Sequence, residues 1–234
     1  MHESATHATH DHAKHDHAKA IEIDVYADLV CPWCYIGLRR LDLALERHVG
    51  ALVTRRWRPF QLRPDMPKGG RPWSEFARDK FGGEARAAEA FQHVTELGGN
   101  DGIDFRFDLV ASAPNTVDAH RLILHARRLG LEWPVAGALL RAYFTEGRNL
   151  DDPETLLDVA QHTGLDREDV AALLASTELH EDVLASQRDA QRLGISGVPF
   201  YVLDGRYGVS GAQPPETFLR ALERIQSERP AAAT

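Results

Sequence analysis

The sequence predicts a mixed α/β fold in which a β-α-β unit and a β-β-α unit are separated by an all-helical insertion. Three observations lead to this fold class. Near the start, an alternating apolar segment is followed at once by a Cys-Pro-Trp-Cys turn and an amphipathic segment. The middle of the chain has helical periodicity interrupted by glycines. Near the end, a short apolar segment meets an Asp-Gly pair, which is typical of a tight hairpin turn.

The first unit consists of a strand, a helix and a second strand. Apolar and acidic residues alternate at the start of residues 21–27, which predicts a strand that becomes buried towards the cysteines. Leucines recur at helical spacing over residues 35–49, and Gly50 is a suitable end signal. Residues 52–62 have the pattern of a second strand. A right-handed crossover should place the two strands in parallel.

A Pro- and Gly-rich boundary at residues 63–70 precedes the helical insertion. Helices are predicted there over residues 73–81, 84–97, 115–129, 133–146 and 152–162, from residue 166, and over residues 179–193. Asn115 and Asp166 are the predicted N-caps, because short polar side chains accept hydrogen bonds from the unpaired N–H groups of a first turn. Alternating apolar residues predict a short extended piece over residues 103–107.

The last unit returns to strands. Residues 199–203 are apolar and predict a strand, Asp204-Gly205 is the two-residue hairpin signal, and residues 206–209 form the return strand. A proline pair then opens a final helix that runs to about residue 227.

The composition excludes several classes of protein. The chain has 234 residues, a hydrophobic fraction of 43% and a formal net charge of −8. An acidic chain without a basic stripe is a poor candidate for nucleic-acid binding, and no apolar segment is long enough to span a bilayer. Residues 1–20 lack the apolar core of a signal peptide, so we expect a cytoplasmic protein without a membrane partner.

The two cysteines of the chain, Cys31 and Cys34, form a C-x-x-C motif between the first strand and its helix. Such a motif beside a strand and a helix is typical of a redox pair. A helix start favours a thiolate, because its unpaired N–H groups and macrodipole stabilise negative charge. Pro32 suits this first turn, where its missing N–H would be unpaired. Half of a zinc site is the alternative interpretation, although zinc requires four ligands.

Residues 1–20 form a histidine-rich tail that we expect to be disordered, since it has little apolar surface to bury. The tail contains a repeated His-Asp-His-Ala-Lys-like segment with the candidate metal ligands His10, His12, His15 and His17. Imidazoles at this density bind zinc, nickel or copper weakly. A metal-binding protein that uses this tail is therefore one alternative function, and a solvated leader is the simpler interpretation of the tail.

Residues 31–34 after the first strand, Gly197-Val198-Pro199-Phe200 before the third, and Asn115-Thr116 with residues 119–122 together resemble a known family. It is the DsbA-like thioredoxin superfamily, and within it the FrnE-like group of cytoplasmic dithiol–disulfide isomerases. The resemblance covers residues 21 to about 228. It implies a discontinuous thioredoxin-like domain over residues 21–64 and 182–228, with a helical insertion domain over residues 65–181.

The activity that this resemblance implies is thiol–disulfide exchange by a DsbA-family protein dithiol–disulfide oxidoreductase. Cys31 would attack a substrate disulfide, and Cys34 would resolve the mixed disulfide. Pro199 would be cis and would face Cys31, with the Val198 backbone pairing with an extended substrate. No cofactor beyond the redox-active disulfide is implied. The partner would be a disulfide or thiol, from a protein or from glutathione, and the chain would be a monomer or a homodimer.

Further substrate contacts are predicted from position in the chain. Pro32 and Trp33 lie between the cysteines, where Trp33 either shapes an apolar contact surface or packs on the insertion. Because the insertion should cover the thiol, Asn115 and His120 are predicted to line the substrate cleft, with Arg121 as a further candidate.

Two questions stay open at this point. In thioredoxin and DsbA an acidic side chain lies beneath the cysteines, six residues before the first one, and this chain has Val25 there. The proton path to Cys34 is therefore undefined, with Asp24 and Asp28 as neighbouring acids. A glutathione-dependent isomerase or kappa-class glutathione transferase is the main alternative function, although those enzymes usually carry serine in place of Cys31. The sequence does not define the direction of electron flow.

Overall fold

A computed structural model describes residues 20–229, so His10, His12, His15 and His17 of the tail lie outside the described residues. In chain order its strands are β1 (Ile21–Ala27), β2 (Val53–Pro59), β3 (Arg71–Pro72), β4 (Ser112–Ala113), β5 (Phe200–Leu203) and β6 (Tyr207–Ser210). Its α-helices are α1 (Pro32–Arg47), α2 (Trp73–Phe81), α3 (Glu84–Asn100), α4 (Val117–Arg127), α5 (Glu132–Phe144), α6 (Pro153–His162), α7 (Arg167–Ala175), α8 (His180–Arg192) and α9 (Pro215–Glu228).

The central sheet has four strands in the order β2-β1-β5-β6. β1 is parallel to β2 and antiparallel to β5, and β5 pairs with β6 as an antiparallel hairpin. The first two strands are joined through α1, and the long helical segment enters between β2 and β5. This is the predicted thioredoxin-like fold with a helical insertion, and the two-stranded β3–β4 pair within the insertion was not predicted. The domain boundaries stay a prediction.

Helices cover both faces of the central sheet. Side chains of successive strand residues point to opposite faces. On one face, Tyr26 packs with Ala190 of α8. On the other, Tyr201 pairs with Val25 in register and its ring lies 4.8 Å from that of Phe218 on α9. The end of β1 is therefore buried on both sides, and the turn that follows it is held in the interior.

Several local predictions are confirmed. The Asp166 side chain caps α7 by accepting a hydrogen bond from the Asp169 N–H (2.9 Å). Asp152, which was not predicted as a cap, accepts the Glu154 N–H at the start of α6 (3.2 Å). Asp204 and Gly205 both have positive φ, as a tight hairpin turn requires. At α4 the cap residue is Thr116 rather than Asn115, although Asn115 Oδ1 still accepts the Val117 N–H.

Two segments of the insertion differ from prediction. α3 continues through Gly98 and Gly99 to Asn100 instead of ending at residue 97. A Cβ atom on Gly98 would lie 2.3 Å from the Phe105 ring, so this glycine permits a close ring contact rather than a helix end. Residues 103–107 form no strand. Instead, the rings of Phe105 and Phe107 stack 5.1 Å apart, and a 3₁₀ turn begins at Phe107.

Within residues 20–229, no helix combines the length and the apolar character needed to cross a bilayer.

Candidate active site

The two cysteines lie at the start of α1, and the helix exposes them unequally. Cys31 is the N-cap residue, and its carbonyl accepts hydrogen bonds from the N–H groups of Cys34 (3.0 Å) and Tyr35 (3.4 Å). The Cys31 residue is 5% exposed to solvent, whereas Cys34 has no exposed surface. Both are free thiols. Only Cys31 can therefore meet an incoming molecule.

The loop before β5 reaches over the thiol of Cys31. The Val198–Pro199 peptide bond is cis, as the resemblance implied. The Val198 carbonyl oxygen accepts a hydrogen bond from Cys31 Sγ at 3.6 Å. The structure thus places Val198 and Pro199 beside Cys31 and Cys34, although the two pairs are more than 160 residues apart in the chain.

Gly37 allows this loop to approach α1 closely. A Cβ atom at Gly37 would lie 2.4 Å from the Tyr201 hydroxyl and 3.0 Å from Pro199 Cγ. Tyr201 has no exposed surface, so its ring has no free space into which to move. The glycine therefore sets the distance between the cysteine helix and the cis-proline loop.

We predict that Gly37→Ala lowers the free energy of unfolding by about 1–3 kcal/mol, because an added methyl group overpacks this contact. It should also slow disulfide exchange, since the loop must move away from Cys31. Gly137→Ala is the matched control, because a Cβ atom at that helical glycine meets nothing within 4 Å. The control should be neutral or stabilising. Chemical denaturation of both variants checks this, and equal stabilities would contradict the prediction.

Cys34 is held as a thiol by its surroundings. Burial raises the pKa of Cys34 well above its ordinary value, and the Cys31 sulfur and the Asp28 carboxylate act in the same direction. The Asp28 N–H opposes them, because it donates to Cys34 Sγ at 3.5 Å. Deprotonation of Cys34 is thus the unfavourable part of any step in which it attacks.

This shift predicts a pH dependence of stability. The folded-state pKa of Cys34 is raised, so the folded protein keeps a proton that the unfolded chain loses above about pH 8.5. The stabilisation is fully present below that pH and is lost as the pH rises through the folded-state pKa, by at most about 1.4 kcal/mol per pH unit. Denaturation between about pH 8 and 10 measures it. The oxidised protein is the control, because a disulfide does not titrate, and parallel curves for both forms would contradict the prediction.

Asp28 lies directly after β1 and is almost fully buried. Its Oδ1 accepts the Leu29 N–H and its Oδ2 accepts the Leu62 N–H, both at 2.8 Å. The sequence named Asp28 only as a neighbouring acid. In the structure it is the acid beside Cys34, whereas Val25 is buried in the hydrophobic core.

His120 contacts Asp28 rather than the cleft, which corrects its predicted role. It has no exposed surface, so it cannot touch a substrate. Trp57 Nε1 donates to His120 Nδ1 at 3.1 Å. Because an indole N–H only donates, the proton of a neutral His120 ring must be on Nε2. Nε2 lies 3.3 Å from Asp28 Oδ1, without hydrogen-bond alignment, so we describe the pair as an electrostatic contact.

Asn115 and Arg121 also lie away from the cleft. The Asn115 side chain accepts the Val117 N–H and donates to the Met66 carbonyl at 2.6 Å, which ties the start of α4 to the loop after β2. The Arg121 guanidinium is buried and donates to the carbonyls of Leu173, Ser176 and Glu178. Neither residue lines the cavity beside Cys31, which corrects their predicted position in the cleft.

A cavity of about 330 Å³ opens beside Cys31, between the start of α1 and helices α2 and α3. Pro32 and Trp33 form part of its wall, and Trp33 keeps 37% of its exposure. The aromatic side chains that line it include Trp33, Trp73, Phe76, Phe81, Phe91 and Phe107. Arg63 and Lys80 are the cations of this wall, and the sequence carried no signal for either. The cleft is therefore apolar, with positive charge near the thiol.

No group of three or more His, Cys, Asp or Glu side chains suitable for a metal ion occurs between residues 20 and 229. Within those residues, Cys31 and Cys34 are therefore not part of such a group. The four tail histidines are outside this range.

Comparisons with known proteins agree with this geometry. A family model described as the DSBA-like thioredoxin domain matches residues 22–223. A probable DsbA oxidoreductase from Streptomyces coelicolor is 33% identical, with a TM-score of 0.80 over 92% of this chain and 93% of that chain.

Two more distant structures share the fold. The cytosolic disulfide reductase DsbM from Pseudomonas aeruginosa, solved with GSH, is 22% identical, with a TM-score of 0.64 over 88% of this chain and 99% of that chain. A 2-hydroxychromene-2-carboxylate isomerase is 18% identical, with a TM-score of 0.66 over 88% and 97%. The family match and the first structure decide the assignment. The chain therefore belongs to the DSBA-like thioredoxin domain family, and it is a disulfide oxidoreductase of that family.

Proposed function

We propose that the chain reduces disulfides in two steps, with Cys31 as the attacking thiol and Cys34 as the resolving thiol. One observation supports the assignment of Cys31 as the attacking thiol and Cys34 as the resolving thiol. Cys31 lines the cavity and contacts the Val198 carbonyl, whereas Cys34 is fully buried and its burial raises its pKa. An incoming disulfide can therefore reach only one of the two sulfurs.

In the first step the Cys31 thiolate attacks one sulfur of the substrate disulfide. That S–S bond breaks, a Cys31–substrate disulfide forms, and the other substrate sulfur leaves as a thiolate that takes a proton from water. In the second step Cys34 loses its proton and attacks Cys31, which releases the second substrate thiol. The protein is left with a Cys31–Cys34 disulfide, and two thiols, such as two glutathione molecules, reduce it again.

The substrate is a disulfide whose neighbouring groups are apolar, because the cavity beside Cys31 is walled by aromatic rings. Pro32 and Trp33 contact it on the side of α1. The Val198 backbone, which lies above the thiol, pairs with an extended substrate. A cytoplasmic location, membership of the FrnE-like group, exchange with glutathione, and a monomeric or homodimeric state are parts of the same proposal.

The electrostatic surroundings of the Cys31–Cys34 pair support reduction of a substrate disulfide rather than oxidation of substrate thiols. DsbA is a strong oxidant because its reduced form is stabilised. Here burial raises the pKa of Cys34 and the buried Asp28 carboxylate acts in the same direction, so neither stabilises a thiolate in the reduced pair. The cytosolic disulfide reductase DsbM, which shares this fold, supports the same direction.

Equilibration with a glutathione series tests this direction. We expect a potential nearer to thioredoxin, at about −270 mV, than to DsbA, at about −120 mV. Insulin reduction should be present in the wild type and absent in Cys34→Ala. A potential near −120 mV would contradict the reductase assignment. Absence of insulin reduction, combined with glutathione-dependent isomerisation that survives Cys34→Ala, would favour the isomerase alternative, whose fold this chain shares.

A further inference from the structure

We propose that Arg63 and Lys80 form an anion-binding subsite in the cavity beside Cys31, which selects disulfides that carry a carboxylate close to the reacting sulfur. This inference rests on the proposed function and names the chemistry of its substrate. It concerns recognition by the insertion side of the cavity wall rather than by the cis-proline loop.

The two cations lie on the same part of the cavity wall. Both line the cavity together with Cys31. The Arg63 guanidinium is 5.5 Å from the centre of the Phe76 ring, and Lys80 Nζ is 5.6 Å from the same centre. Lys80 Nζ is also 5.4 Å from the Phe81 ring centre. The pair is therefore held by aromatic rings rather than by acidic groups.

Neither cation has a carboxylate partner within residues 20–229. Most other arginines there are paired, as in Arg58 with Asp189 (3.0 Å) and Arg40 with Asp101 (2.7 Å). Asp79 immediately precedes Lys80 but pairs with Arg71 at 2.6 Å. The Nε of Arg63 is buried without a hydrogen-bond partner. A buried polar donor without a partner is unfavourable, so an anion that satisfied it would bind with a gain in free energy.

Electrostatics support the same geometry. Partial burial lowers the pKa of Lys80, Arg63 acts in the same direction, and Cys31 opposes both. Because Arg63, Lys80 and Cys31 line the same cavity, an anion bound between the two cations would lie in the space that opens onto the reacting thiol. A guanidinium offers two parallel N–H groups that match the two oxygens of a carboxylate. The expected ligand is an organic disulfide with an apolar body and a carboxylate.

A pair of aromatic disulfides tests the inference. 5,5′-dithiobis(2-nitrobenzoate) carries a carboxylate on each ring, and 4,4′-dithiodipyridine has none. Each reacts with reduced protein by exchange at Cys31 and releases a coloured arylthiol. The informative quantity is the ratio of the two second-order rate constants, because a change in Cys31 nucleophilicity alone affects both reagents.

We expect the double variant Arg63→Gln/Lys80→Gln to lower the rate with the carboxylate reagent about tenfold relative to the neutral reagent, as loss of a charge-assisted contact implies. Added salt should reduce the wild-type ratio. Arg220→Gln, on the exposed side of α9, removes one cation that does not line the cavity; it is the single-charge control and should leave the ratio unchanged.

Equal loss with both reagents would overturn the inference, because the cations would then act only on the thiolate. An unchanged ratio in the double variant would also overturn it. If wild-type protein reacted with neither reagent, the proposed function itself would fail, so the two failures are distinguishable.

Discussion

Replacing Cys31 with serine is expected to lower the rate of disulfide exchange by about a thousandfold or more. A hydroxyl is a far weaker nucleophile than a thiolate at neutral pH. Cys34 cannot take over the first step, because it has no exposed surface and its burial raises its pKa. Single-turnover kinetics with a disulfide peptide measure the effect.

Cys34→Ser is the matched variant and has a different expected outcome. The first step should proceed at a rate close to that of the wild type, and the second thiol product should not be released. The isomerase alternative makes the opposite prediction for Cys31→Ser, because those enzymes usually carry serine at this position. Retained glutathione-dependent isomerisation in Cys31→Ser would therefore contradict the account.

Asp28→Asn is expected to lower the free energy of unfolding by about 3 kcal/mol. The Asp28 carboxylate is buried and accepts two backbone N–H groups, from Leu29 and Leu62. An asparagine provides one acceptor oxygen, and its NH₂ group would face the other N–H donor. The substitution therefore leaves a buried donor without a partner beside His120.

Asp42→Asn is the matched control, because Asp42 pairs with Arg55 and keeps 43% of its side-chain exposure. An exposed pair contributes about 0–1 kcal/mol, so this variant should be close to wild type in stability. Burial is the main cause of the raised pKa of Cys34, and the Asp28 carboxylate adds to it. In Asp28→Asn the resolving step should therefore reach half its maximal rate at a lower pH. Equal behaviour of the two variants would contradict the role given to Asp28.

The order of the elements could be predicted because it depends on local patterns. Alternating apolar residues predicted β1, the Asp204-Gly205 pair predicted the β5–β6 turn, and Asp166 was identified as a cap. The end of α3, which contains two glycines, was harder to predict from the sequence. Gly98 looks like a helix end in the sequence, but it accommodates the Phe105 ring, and such a contact depends on tertiary packing.

Asp28, the acid next to the cysteines, could not be identified from local sequence patterns for a related reason. Asp28, Trp57 and His120 come from the turn after β1, from β2 and from α4, and they meet only when the insertion docks on the sheet. Sequence periodicity could place His120 on a helix but could not show whether that face pointed to the cleft or to the core. The same holds for Arg63 and Lys80, which approach each other only around the Phe76 ring.

Trapping the mixed-disulfide intermediate distinguishes the attacking thiol, Cys31, from the resolving thiol, Cys34. Reduced Cys34→Ala protein is mixed with a disulfide peptide and analysed by intact mass and peptide mapping. The account predicts a stable one-to-one mixed disulfide on Cys31, and no adduct on Cys34 in the matching Cys31→Ala variant. An adduct on Cys34 in Cys31→Ala, formed as fast as that on Cys31, would contradict it.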